Sequence, residues 1–222
     1  ITPHYTDYAE GSVLITAGGT RGLCNVTIEE GTPRWMQAQG KRGGWVTAEY
    51  AMLPRATQQR TPRESNGVGG RTHEIRRLVG RSLRAAIDLE KLGARTCIVD
   101  CDVLQADGGT RTAAITGGYV ALRLALQKLV KAGVVDVGVF KDAVAAVSVG
   151  VVEEKALLDL CYAEDSRAQV DANVVMTATG EFIEVQFTGE SRTFGRVMLD
   201  DLLNLAYKGI GDLLILQRET LD

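Results

Sequence analysis

The sequence predicts an α+β fold in a single compact domain, residues 1–222, with β-sheets packed against helices. Three observations carry this prediction. Stretches of period-two alternation and stretches with apolar residues three and four apart succeed one another as strands, helix, strand, helix, strands, helix. The connections are short, and no low-complexity linker separates two cores. An apolar content of 45% over 222 residues is enough to fill a sizeable interior.

Taken in order, GSVLIT from Gly11, GLCNVTI from Gly22 and WVTAEY from Trp45 alternate with glycine turns and read as a β-meander. Residues 51–70 hold Pro54, Pro62, Gly67, Gly69 and Gly70 with little periodicity, which predicts an exposed loop. A helix follows from Thr72, with Ile75, Leu78, Val79, Leu83, Ala86 and Ile87 on its apolar face and Gly93 ending it. Arg77, Arg81 and Arg84 fall on another stripe of that helix. TCIVDCDVL from Thr96 reads as a buried strand, QADGGT as a turn, and Arg111 to Ala132 as a second helix with Ile115, Tyr119, Leu122, Leu126, Leu129 and Val130 inward. Beyond Gly138 come four β runs, AVAAVSVGVV, KALLDLCY, ANVVMTATG and EFIEVQFTG. A last amphipathic helix runs from Met198 towards Leu216.

Composition excludes several classes. Glycine is 25 of 222 residues, roughly 11% against a background of about 7%, without the strict period of a collagen. Formal charge is −3, so the chain is no uniformly basic nucleic-acid coat. Four cysteines (Cys24, Cys97, Cys101, Cys161) are too few for a disulfide scaffold, and none has the two-residue spacing of zinc or redox sites. Free thiols in a reducing compartment are the expectation. No apolar run reaches the ~18 residues of a spanning helix and no secretory signal is visible, so the chain reads as cytoplasmic.

The charge is unevenly placed. Residues 55–84 carry Arg55, Arg60, Arg63, Arg71, Arg76, Arg77, Arg81 and Arg84 against only Glu64 and Glu74, a net of +6 that leaves −9 for the rest of the chain. A solvated helix face accounts for many such clusters. Here all the cations are arginine, whose planar fork suits bidentate contact with phosphate oxygens.

Two glycine-rich helix starts have the form of anion sites. In DGGTRT (107–112) the glycines allow close backbone approach, free amides and the helix dipole favour an anion, Thr110 adds a hydroxyl and Arg111 a guanidinium. GVGGRTHEI (67–75) repeats the pattern around Arg71. The two could converge on one small anion or be independent helix caps. Neither is a Walker or dinucleotide motif. A third constellation, AEDSRAQVDANVVM, places Asp165 and Asp171 six residues apart with Glu164 beside the first. A hard divalent ion such as Mg²⁺ needs only one or two carboxylates plus waters and phosphates. An extended strand would hold these two about 20 Å apart, so sharing an ion requires a bend at SRAQ. His4 and His73 are the only histidines and no Gly-x-Ser-x-Gly elbow occurs, so covalent nucleophilic catalysis fits poorly.

GWVTAEYAMLPRAT (44–57), GGRTHEIRRLVGRSLRAAIDL (69–89), DCDVLQADGGTRTAAITGGYVAL (100–122), AAVSVGVV (145–152) and EDSRAQVDANVVMT (164–177) together resemble the ribonuclease PH family, and its bacterial branch most closely. The resemblance covers nearly the whole chain from Glu10. It implies a ribonuclease PH-like sandwich and a phosphorolytic 3′→5′ exoribonuclease, or tRNA nucleotidyltransferase, that trims tRNA precursors and other structured RNA, including ribosomal RNA, and releases nucleoside diphosphates. On the positions that match, phosphate falls to Arg71, Gly109, Thr110 and Arg111, and Mg²⁺ to Asp165 and Asp171, which makes Arg71, Arg111, Asp165 and Asp171 the catalytic set. Arg55, Arg60 and Arg63 match the loop arginines used for tRNA. The family assembles as a homohexameric ring, a trimer of dimers. Some relatives are instead non-catalytic RNA-binding subunits of an exosome-like ring. Those typically lose phosphate or metal residues, whereas all four stand here.

The sequence departs from the family at several places. The family's Arg-Pro-Asp-Gly-Arg segment has no counterpart in it, Gly19 replaces an aspartate, Phe187 replaces a glycine, and QGKRGGW is longer than usual.

Overall fold

A computed structural model describes residues 1–65 and 67–222. Five strands form the first sheet: β1 (Thr2–Pro3), β2 (Gly11–Ala17), β3 (Thr20–Glu30), β4 (Trp45–Met52) and β5 (Arg95–Gln105), in the order β1-β2-β3-β5-β4. The expected meander is therefore corrected: β3 pairs antiparallel with β5, and β4 lies at the edge, parallel to β5. Parallel neighbours need a crossover of a dozen or more residues. The long loop after Met52 and helix α2 (Gly70–Ala85) supply it. The connection from β3 to β4 holds a short helix, α1 (Arg34–Ala38), that the glycine-rich sequence conceals.

Helix α2 ends sooner than its apolar periodicity suggests. Asp88 accepts hydrogen bonds from the amides of Glu90 and Lys91 and starts a separate turn, α3 (Leu89–Leu92), which Gly93 terminates. An aspartate at that position satisfies the free amides of a new first turn, so the pattern breaks at residues 86–88. Helix α4 (Thr110–Lys131) follows β5.

The second sheet contains β6 (Val144–Val152), β7 (Lys155–Leu158), β8 (Val170–Thr177) and β9 (Phe182–Gly189) in the order β7-β6-β8-β9. KALLDLCY is only partly strand, because the short helix α5 (Tyr162–Asp165) begins within it. The Glu164 carboxylate accepts the Cys161 amide at 2.9 Å and closes that turn. Helix α6 (Arg196–Leu221) is longer than predicted at both ends.

The layers run first sheet, α2 and α4, second sheet, α6. Val13, Cys24, Val99 and Tyr50 of the first sheet pack with Ile75 and Leu83 of α2 and Ile115 and Leu122 of α4. Strand β6 is buried along its whole length because both its faces are covered. Val144 and Ala146 point to α4, while Ala145, Val147, Val149 and Val151 join Leu202, Ala206 and Ile210 of α6. Successive side chains of a strand face opposite ways, and here each way meets a helix. Phe187 stacks on Phe194, with ring centroids 5.8 Å apart, at the margin of the α6 core. No helix among the described residues is long and apolar enough to cross a membrane.

Three of the eight clustered arginines are tied into this framework. Arg76 pairs with Glu49 at 2.7 Å, Arg81 with Glu184, and Arg84 lies over the Trp45 ring and donates to the Val46 carbonyl at 2.9 Å. Burial, and then the nearby Arg81 charge, lower the Arg84 pKa from its ordinary value. The basic cluster is thus partly architectural. Cys24, Cys97 and Cys101 are buried, and burial pushes the Cys97 thiol up to about 12, which suits inert core thiols rather than metal ligands.

Candidate functional site

The β5–α4 turn sits between the first sheet and α5 and is anchored to both. Thr20, at the start of β3, donates its hydroxyl to the Gly108 carbonyl at 2.6 Å and accepts the Asp107 amide at 2.8 Å. From the other side, Asp107 accepts the Tyr162 amide of α5 at 3.2 Å. Gly108 and Gly109 take the left-handed conformations (φ 80° and 55°) that turn the chain from strand to helix. A Cβ on Gly108 would also run into the Leu160 carbonyl oxygen. Gly108 is therefore required for close approach as well as for its backbone angle, and Gly109 for its left-handed backbone. Gly19 leaves room for the Asp107 carboxylate, since a Cβ there would collide with it.

This turn forms one wall of a cavity of about 670 Å³. Arg71, Gly109, Thr110, Arg111, Asp165 and Asp171 all line it, so the two glycine-rich helix starts and the acidic pair meet at one place. The bend between the aspartates lies at residues 166–169, where the sequence requires it: Asp165 ends α5 and Asp171 lies just inside β8.

Each cation is held by a different element. Arg71 is exposed in the first turn of α2 and has no ion-pair partner among the described residues. That turn is steadied by Glu64, whose carboxylate accepts the Gly69 amide at 3.3 Å and the Thr72 hydroxyl at 2.9 Å. Arg111, only 17% exposed, directs Nη1 to Glu74 at 3.2 Å and to Gln186 of β9 at 3.4 Å. The Thr110 hydroxyl lies 2.8 Å from that of Tyr50, a buried residue of β4. The backbone amides of Thr110 and Arg111 belong to the first turn of a 22-residue helix, where no intrahelical acceptor exists.

The cavity's electrostatics are mixed in a way that suits phosphate and metal together. Burial, then the Asp165 and Glu190 charges, raise the Asp171 carboxyl above its ordinary range, while Arg111 acts in the opposite sense. Two carboxylates that oppose each other's ionisation are a donor set a divalent cation relieves. Among the described residues no group of three or more His, Cys, Asp or Glu side chains is placed to hold a metal. A pair fits Mg²⁺, which completes its shell with water and substrate phosphate.

Arg55, Arg60 and Arg63 lie exposed on the loop after β4 and do not line the cavity, whereas their neighbours Thr57, Gln59 and Thr61 do. The loop borders the cavity with its polar side chains and presents the arginines to solvent. Tyr50, Glu64, Glu74, Asp107 and Gln186 are participants that spacing alone does not single out. The only sequence signal for Glu64 and Glu74 is that they are the sole acids in the basic segment.

Comparisons with known proteins identify the family. Residues 1–126 match the model of 3′ exoribonuclease family domain 1, and residues 142–209 match domain 2 of the same family. Ribonuclease PH of Bacillus cereus and that of Bacillus anthracis are each 58% identical over 224 aligned residues, covering 100% of this chain and 91% of the relative. Among solved structures, rice (Oryza sativa) Rrp46 superposes with a TM-score of 0.78 at 19% identity, covering 99% of this chain and 92% of that one. The Archaeoglobus fulgidus exosome with RNA bound to the active site gives a TM-score of 0.78 at 22% identity, covering 100% and 87%. With both family segments matched and relatives of this identity spanning it throughout, the chain belongs to the ribonuclease PH family of 3′ exoribonucleases.

Proposed function

We propose that this chain is a phosphate-dependent 3′→5′ exoribonuclease that trims the 3′ ends of tRNA precursors and other structured RNA and releases nucleoside diphosphates. One observation carries the reading: Arg71 and Arg111, from the first turns of two different helices, line a single cavity with the Gly109–Thr110 turn, Asp165 and Asp171.

The chemistry follows from the placement of charge. Arg71, Arg111, the Thr110 hydroxyl and the turn amides bind inorganic phosphate and offset the repulsion between an anionic nucleophile and an anionic chain. A phosphate oxygen attacks the phosphorus of the terminal phosphodiester. The bond to the 3′ oxygen of the preceding nucleotide breaks, that oxygen takes up a proton, and the terminal nucleotide leaves as a diphosphate. Phosphate is already ionised at neutral pH, so no general base is needed, and the balance of bonds makes the reaction reversible. Asp165 and Asp171 are the residues that would hold Mg²⁺, which when bound neutralises charge on the scissile group and the leaving oxygen. Arg55, Arg60 and Arg63 hold the RNA backbone outside the cavity. The 58% identity to bacterial ribonuclease PH supports the same reading. With it go a cytoplasmic location, a homohexamer built as a trimer of dimers, and a single domain in which α4 joins both family segments.

The test is incubation with a 3′-extended tRNA and Mg²⁺, with and without phosphate, and chromatography of the released nucleotides. Diphosphates formed only with phosphate are expected. Monophosphates in both tubes would make the protein a hydrolase, and intact RNA in both would make it a non-catalytic subunit.

A further inference from the structure

Tyr50 belongs to the β4 edge strand, is only 3% exposed, and packs in the main core with Cys101 as its cross-strand partner. Its hydroxyl is nevertheless a polar group, and among the described residues it has one hydrogen-bond partner, Thr110 Oγ1 at 2.8 Å. Thr110 lines the phosphate cavity, but Tyr50 does not.

The direction of this bond follows from counting protons. Each hydroxyl has one to give. If Thr110 donated to Tyr50, the tyrosine proton would be left without an acceptor inside the core, an arrangement native structures avoid. If Tyr50 donates, both its proton and one Thr110 lone pair are satisfied. Thr110 then keeps its own proton, and no protein acceptor among the described residues takes it. That proton is directed to the cavity that Arg71 and Arg111 also line. Hydrogen bonds in a chain polarise one another, so a tyrosine donating to the threonine makes the threonine a better donor to an anion. Burial, the leading influence on Tyr50, raises its pKa, which keeps the phenol protonated through neutral and mildly alkaline pH.

We infer that Tyr50 is a positioning residue for the phosphate nucleophile: by donating to Thr110 Oγ1 it commits the Thr110 hydroxyl proton to a phosphate oxygen. The inference rests on the phosphate-site reading above and adds to it a residue that reaches the anion only through another side chain. It also gives the first sheet a direct link to the anion site.

The experiment is a set of variants assayed for phosphorolysis of a 3′-extended RNA with phosphate varied, with thermal melting as a folding control. Tyr50→Phe keeps the ring and removes only the hydroxyl. It raises the KM for phosphate by about three- to tenfold, the range of one lost neutral hydrogen bond, and leaves the KM for RNA unchanged. Because Tyr50 acts through Thr110, the effect persists in a Thr110→Ser background, which retains a hydroxyl, and vanishes in a Thr110→Val background. An unchanged phosphate KM in Tyr50→Phe, or an effect of full size in the Thr110→Val background, overturns the inference. Should Tyr50→Phe melt below the assay temperature, thermal-shift titration with inorganic phosphate alone, run in the cold-stable range, gives the same comparison of affinities. The wild-type control keeps the two levels apart. RNA degradation that needs no phosphate removes the phosphate site itself, whereas a phosphate-dependent wild type with an indifferent Tyr50→Phe removes only the role of Tyr50.

Discussion

Arg111→Ala tests the phosphate site most directly, and the structure sets the size of the effect. Nη1 of Arg111 is engaged by Glu74 at 3.2 Å and Gln186 at 3.4 Å, which leaves the Nε and Nη2 edge of the fork for an anion. Two charge-assisted hydrogen bonds from that edge are worth about 3–6 kcal/mol at roughly 1.5–3 each. The side chain is 17% exposed, so solvent screening removes little of this. At about 1.4 kcal/mol per tenfold, kcat/KM for phosphate should fall by roughly 10²–10⁴. The cost to the fold is small. The variant forgoes one ion pair to a half-exposed glutamate, about 0–1 kcal/mol, or about 2–4 °C in melting temperature at most for a chain of this size. Initial rates at varied phosphate, with melting curves on the same protein, measure both quantities. Arg111→Lys separates charge from geometry, because a point charge cannot offer the planar edge, and it should recover only part of the loss. A folded Arg111→Ala protein that keeps kcat/KM for phosphate within about tenfold of wild type would refute the assignment of that fork to the nucleophile.

Other measurements bear on the remaining parts of the site. Arg60→Glu with Arg63→Glu should weaken binding of long RNA and flatten the dependence of log K on log salt by about 0.7–0.9 for each RNA phosphate no longer neutralised; an unchanged slope in a filter-binding titration would take this loop off the RNA. Asp171 has a raised pKa in the folded state, first through burial and then through Asp165 and Glu190, so folded protein holds this proton to higher pH than unfolded and stability falls as pH rises between the two values. Asp171→Asn should accordingly melt higher than wild type at pH 7, lose phosphorolysis, and show no such advantage below about pH 4, near the ordinary carboxylate value; equal melting temperatures at pH 7 would show that the carboxylate is not under electrostatic stress. Gly108→Ala forces a side chain into a φ of 80° and against the Leu160 carbonyl, a cost of about 2 kcal/mol or more and a fall of roughly 4–8 °C in melting temperature.

The strands and long helices are visible in the sequence because each has a face to bury, and burial writes a period into the residues. What periodicity cannot report is which strands become neighbours. GSVLIT, GLCNVTI and WVTAEY read as successive hairpins, but β5 enters between the second and third, since pairing partners are chosen by the crossover through α2 and not by local pattern. The breaks at Asp88 and Cys161 are hidden for a related reason: each depends on one side chain capping a turn, Asp88 in the first and Glu164 reaching back to the Cys161 amide in the second. In the site, the residues with a chemical signature, the arginines after glycine pairs and the two aspartates, stand out. Their convergence shows only as a requirement, because the bend at residues 166–169 that lets Asp165 and Asp171 meet is permitted but not dictated by the local pattern. Tyr50 is concealed most completely, for it sits in an alternating strand where an inward tyrosine looks like any other core residue.

Helix α4 is buried on nearly every side from Thr112 to Leu126, with the first sheet against one flank and β6 against another. During synthesis that helix and the first sheet leave the ribosome before Val144–Val152 emerges to cover the second flank. At about 5–20 residues per second, the nascent chain spends some seconds with an uncovered greasy helix. The first half is therefore a poor candidate for independent life, and the interval before its partner sheet arrives is when this protein most needs a chaperone.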